Sequence, residues 1–150
     1  MDRSFECWRL LFNLTDDFRE QANVSNRDSL AVFDVTVGQM RVLKAVASLT
    51  TENRGLGLML KTLAEKVKLT SGAVSIIVDS LVRQGLLERR HSEKDRRAVN
   101  IYLSAKGEEK IERYIAFFTR RTSEFLADLT PAEQEMFISL LRRFREKINS

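Results

Sequence analysis

The chain has 150 residues, 25 Lys and Arg against 21 Asp and Glu, and a formal net charge of +4. With 43% hydrophobic and 31% charged residues it is composed like a soluble globular protein, which excludes wholesale disorder. A single cysteine, Cys7, and a single histidine, His91, rule out an internal disulfide and a Cys/His metal cluster.

The charged start, Met1-Asp2-Arg3, does not resemble a signal peptide, and no apolar run reaches membrane-spanning length, so a cytoplasmic protein with no membrane partner is expected. Residues 4–23 read as a helix with Phe5, Trp8, Phe12 and Ala22 on one stripe and Leu11, Leu14 and Phe18 beside it. Apolar surface on so many sides predicts burial at a helical interface. Residues 24–35 are polar and predict a loop. Thr36-Val37-Gly38-Gln39 has the form of a capping box and opens a helix with Met40, Leu43, Val46 and Ala47 on one face, ending over 50–55. A small strand is expected over 56–60. A second capping box, Thr62-Leu63-Ala64-Glu65, then starts a short helix.

Thr70-Ser71-Gly72 begins the next helix, which runs to about Gln84 and stops at Gly85. Its buried stripe is Val74, Ile77, Val78 and Leu81, so Ser71, Gly72, Ser75, Ile76, Asp79 and Arg83 point elsewhere. Two extended segments, 86–91 and 98–103, enclose the polar loop Ser92-Glu93-Lys94-Asp95-Arg96-Arg97 and predict a hairpin with a charged tip. Within its first strand, Arg89 and Arg90 face opposite ways. Ile111, Ile115, Phe118, Thr122, Phe125 and Leu129 then mark a long helix packed along one seam. Thr130-Pro131-Ala132-Glu133 opens a final helix, whose seam is Phe137, Leu141, Phe144 and Ile148.

Charge is concentrated in the middle. Residues 61–100 hold nine basic and five acidic groups, a surplus equal to the whole net charge, while the remaining 110 residues balance. A neutral frame around a basic centre suits a polyanion-binding module on a scaffold. Helix, short helix, second helix and basic hairpin follow one another in the order of a winged helix-turn-helix. A helix entering the major groove needs a small or polar outer face, which Thr70, Ser71, Gly72 and Ser75 supply. Arginines at a hairpin tip can enter the neighbouring minor groove.

Leu63-Ala64-Glu65-Lys66-Val67, Val74-Ser75, Leu81-Val82-Arg83-Gln84-Gly85-Leu86-Leu87-Glu88-Arg89-Arg90, Asp95-Arg96-Arg97 and Leu103-Ser104-Ala105-Lys106-Gly107, in this order, resemble the MarR family of bacterial transcriptional regulators. The resemblance implies a mainly α single domain, 1–150, with a small β-hairpin wing. The winged helix-turn-helix lobe would span 36–103, with 4–23 and 104–148 forming dimerisation helices. It also implies a homodimer that binds double-stranded DNA at a pseudo-palindromic operator and acts as a repressor released by a small aromatic or anionic effector. Candidate DNA contacts are Thr62, Thr70, Ser71, Gly72, Ser75, Ile76, Arg90, Lys94, Arg96 and Arg97, with Asp95 orienting a wing arginine. Trp8, Phe12, Met40 and Leu43 are the candidate effector contacts. Many family members carry a basic residue at the position of Ile76, so wing and backbone contacts gain weight here. That departure motivates an alternative, a dimeric winged-helix module that binds protein. Cys7 is read as a free thiol, with a redox switch as a variant. No nucleophile motif, phosphate loop or metal set is present, so neither an enzyme nor a cofactor is expected.

Overall fold

The computed structural model describes residues 2–25, 34–52, 57–95 and 98–150, with backbone alone for 22–25. In chain order the elements are α1 (Arg3–Ser25), α2 (Val37–Glu52), α3 (Leu60–Val67), α4 (Ser71–Arg83), β1 (Leu87–His91), β2 (Val99–Leu103), α5 (Ala105–Ala127) and α6 (Pro131–Asn149). The architecture is the expected one, mainly α with a two-stranded antiparallel hairpin. Among the described residues no helix is long and apolar enough to cross a membrane. Two compact units, Met1–Tyr114 and Ile115–Ser150, divide within α5.

The first unit holds the core. Val42, Leu43 and Val46 of α2, Leu63 of α3, and Val74, Val78 and Leu81 of α4 are fully buried, and Leu58, Leu86, Leu87 and Ile101 close the cluster. Each such side chain contributes about 1.5–3 kcal/mol of transfer free energy. The capping box forms at Thr36: its hydroxyl oxygen accepts from the Gln39 N–H at 3.1 Å, and the Gln39 side chain accepts from the Thr36 N–H at 2.8 Å. The strand expected over 56–60 is reduced to one bridge, in which Leu58 exchanges both backbone hydrogen bonds with Ile101.

The second capping box, at Thr62, does not form. Met59 takes the cap position and α3 begins at Leu60. Starting there puts Leu60, Leu63, Ala64 and Val67 on one stripe against the core, which sets the helix start more strongly than a cap motif can. Lys68 ends α3 in the left-handed region, at φ 55°. There its N–H reaches Glu65 and the Leu69 N–H reaches the Ala64 carbonyl. Arg41 donates to the Val67 carbonyl at 2.9 Å and covers the same helix end.

β1 pairs with β2 in the register Leu87 to Leu103 and His91 to Val99. Of the expected alternation in β2, Ile101 is buried, Leu103 is half-buried and Val99 is exposed, because the hairpin runs outward past the core. Where β2 passes into α5, the Ser104 hydroxyl donates to the Gly85 carbonyl at 2.6 Å and accepts from the Gly107 N–H at 3.0 Å. Ser104, Gly107 and Ile111 are buried, so the first turns of α5 belong to the winged lobe. The two compact units part farther along α5, between Tyr114 and Ile115.

In the second unit the Thr130 capping box forms, with Pro131 in the first turn of α6. Phe125 and Phe137 meet edge to face at 5.2 Å, and the Gln134 amide donates to the Leu126 carbonyl. The expected seam is open in the single chain: Ile115, Phe125, Leu141, Phe144 and Ile148 are exposed, and Leu129 lies beyond the end of α5.

Two tests follow from these contacts. An added Cβ at Gly107 would lie 2.2 Å from the Leu86 carbonyl oxygen. Gly107→Ala, a substitution that stabilises an open helix, is expected instead to lower stability in urea denaturation by about 1–3 kcal/mol. The Thr130 backbone and side chain, both hydrogen-bonded to Glu133, hold its carboxyl below the ordinary carboxylate range. A lowered folded value stabilises the helix above the unfolded value and is lost as pH falls through the folded one. Acid titration of helicity is expected to flatten in Glu133→Gln relative to the parent.

Candidate nucleic-acid interface

α4 is held from below and left bare above. Val74, Val78 and Leu81 seat it on α2 and α3, so a period of 3.6 residues turns Ser71, Gly72, Ile76 and Arg83 outward. All four are exposed and Ser75 is half-buried. An added Cβ at Gly72 would meet nothing within 4 Å, so open space surrounds the first turn. The Thr70 hydroxyl oxygen accepts from the Ala73 N–H at 3.2 Å and caps the helix. The earlier N–H groups of the first turn remain available to an anion, with the positive end of the helix dipole behind them.

The orientation of α4 is fixed by polar contacts that sequence reading did not single out. The Gln39 amide donates to the Ser80 hydroxyl at 3.0 Å, joining the α2 capping box to the middle of α4. Gln84 donates to the same hydroxyl at 3.2 Å. Gly85 follows at φ 73°, and Lys106 donates to the Gln84 carbonyl at 3.0 Å. Such partners lie up to 41 residues apart, so no local pattern in the sequence could announce them.

The hairpin carries the second group of candidates. Arg89 and Arg90 do part company. Arg89 forms an ion pair with Asp79 of α4, tying the wing to that helix. Arg90 pairs with Glu88 at 2.6 Å and lies 4.7 Å from the centre of the Tyr102 ring. At the tip, the Ser92 hydroxyl accepts from the Lys94 and Asp95 N–H groups, and the Asp95 carbonyl accepts from the Ala98 N–H at 3.0 Å. Lys94 and Asp95 are exposed, whereas Arg96 and Arg97 lie outside the described residues. Thr62 is exposed on α3.

The expected effector contacts differ in exposure. Trp8 and Phe12 are exposed on α1 and stack on each other at 5.4 Å. Met40 and Leu43 are 4% and 0% exposed, since their stripe is the one that joins α2 to the core. Cys7 is exposed on α1.

A three-helix core, an outward α4 and a hairpin anchored to it define a winged helix-turn-helix. The MarR family model matches residues 52–99, which span α3, α4 and most of the hairpin. An uncharacterized HTH-type transcriptional regulator of Bacillus subtilis, YkoM, is 32% identical over 84 residues, 56% of this chain and 54% of that protein. The HTH-type transcriptional repressor YetL of the same organism is 25% identical over 87 residues, 58% of this chain and 52% of its own. In both cases the matched stretch spans about half the relative's length. The S. aureus MepR–DNA complex superposes with a TM-score of 0.71 at 20% identity, covering 94% of this chain and 96% of MepR. Over residues 52–99, therefore, the chain is similar to the MarR family.

Replacing Thr70 tests the capping of α4. Thr70→Ala is expected to lower thermal stability by about 1 kcal/mol, while Thr70→Ser, which keeps the accepting oxygen, leaves it nearly unchanged.

Proposed function

We propose that the chain is a sequence-specific DNA-binding regulator of transcription that acts as a homodimer and represses by occupying a pseudo-palindromic operator. The outward face of α4 carries this reading. Ser71, Gly72 and Ser75 keep most of its first two turns small, with Ile76 beside them, a basic hairpin follows, and the surplus positive charge of the chain lies in this region. Serine hydroxyls, free N–H groups and Lys94, Arg96 and Arg97 supply donors for phosphate and groove edges.

Dimerisation is supported by apolar surface with no cover in the single chain: Phe5, Trp8, Phe12 and Leu14 on α1, and Phe125, Leu141, Phe144 and Ile148 in the second unit. A homodimer sets two copies of α4 in successive major grooves, about 34–36 Å apart. YetL is named a repressor, and MepR has been solved on DNA, both in keeping with this assignment. A small aromatic or anionic effector would release the DNA by favouring a different separation of the two lobes, with exposed Trp8 and Phe12 as its aromatic contacts.

Binding to the duplex upstream of its own coding region, measured against a scrambled duplex at two salt concentrations, tests the proposal. A preference of about a thousandfold or more, with a steep salt slope, is expected. Arg96→Ala and Arg97→Ala should each weaken binding and reduce the salt slope by about one where the arginine meets a phosphate. A well-folded dimer that binds neither duplex would refute this function.

A further inference from the structure

Ile76 is 71% exposed, more than any other large apolar side chain among the described residues. Exposed apolar residues are common singly, so its position is what matters. Ile76 stands on the outward face of α4, one turn after Gly72 and next to Ser75. Helical side chains lean toward the N-terminus, which carries the Ile76 methyl groups over the turn that Gly72 leaves open.

The residues around it narrow the chemistry. From Ser71 to Ser80, α4 contains no Arg, Lys, Asn or Gln, so this stretch cannot make the bidentate contacts that read guanine or adenine. Its one charged side chain, Asp79, is paired with Arg89. The serine hydroxyls are short and bond to almost any edge. An apolar branch facing the floor of the major groove has one distinctive partner there, the C5-methyl group of thymine.

Resting on the DNA-binding reading above, we infer that Ile76 is a specificity-determining residue that reads a thymine methyl group in each half-site. The protein thereby prefers a T·A pair at one fixed position beneath the second turn of α4.

Duplexes enriched from a random pool by the full-length protein supply the probe. In an enriched duplex each thymine is replaced in turn by deoxyuridine, which lacks only the C5-methyl group. One thymine per half-site is expected at which this replacement weakens binding by about fourfold, the effect of one buried methyl group. Ile76→Ala is expected to bind the unmodified duplex at least about fourfold more weakly and to be indifferent to uracil at that thymine. Because the side chain is outside the core, the variant should keep the thermal stability of the parent. An enriched duplex with no uracil-sensitive thymine, or undiminished sensitivity in Ile76→Ala, overturns the assignment and leaves the DNA-binding reading standing. Failure to enrich any duplex refutes that reading, and the assignment falls with it.

Discussion

Where the wing passes the chain on to α5, one hydroxyl group meets backbone from two distant turns. Ser104 donates to Gly85, at the end of α4, and accepts from Gly107, in the first turn of α5. Its N–H also reaches the Leu86 carbonyl. The site is buried, where an unmet hydroxyl would cost about 1–3 kcal/mol, so the partners at Gly85 and Gly107 keep it from being left unsatisfied. The absence of a side chain at Gly107 permits the approach. The exit from α4, the base of the hairpin and the start of α5 thus share one rigid joint. The direction of the wing depends on it.

The two-sidedness of α4 comes from the face it buries. A helix of 13 residues gains its stability chiefly through the face it buries, and Val74, Val78 and Leu81 provide that face. With packing and polar ties on one side, the other is relieved of structural duty and can be chosen for shape alone. Small residues leave the backbone near whatever approaches. The Asp79–Arg89 pair then occupies the one carboxylate on this helix, removing a charge that would repel phosphate. Because both partners are partly exposed, its worth lies in placing the wing more than in stability.

What could be read from the sequence was whatever depends on near neighbours. The Thr36–Gln39 and Thr130–Glu133 boxes close over three residues and stand as expected. The same logic failed at Thr62, because burial of Leu60 extends α3 backward past the cap motif. Period-2 alternation separated Arg89 from Arg90, yet the choice of Asp79 and Glu88 as partners rests on how the hairpin lies against α4. Periodicity placed Met40 and Leu43 on the core face of α2, and the packing bears out that placement. The ties through Ser80 and Ser104 join residues far apart in the chain, and serines announce nothing by themselves.

α6 has a complete capping box and a proline in its first turn, but buries none of its own residues in the single chain. Caps settle where a helix starts; they supply little of the free energy that keeps 19 residues ordered. That energy has to come from a surface laid against its apolar side. With a second copy as the occupant, order in this helix becomes a matter of mass action, and its free energy shifts with the logarithm of protein concentration. The chain at a few copies per cell would then be less ordered in this region than at the concentrations of a purified sample. Abundance itself would act as an input to the protein's conformation.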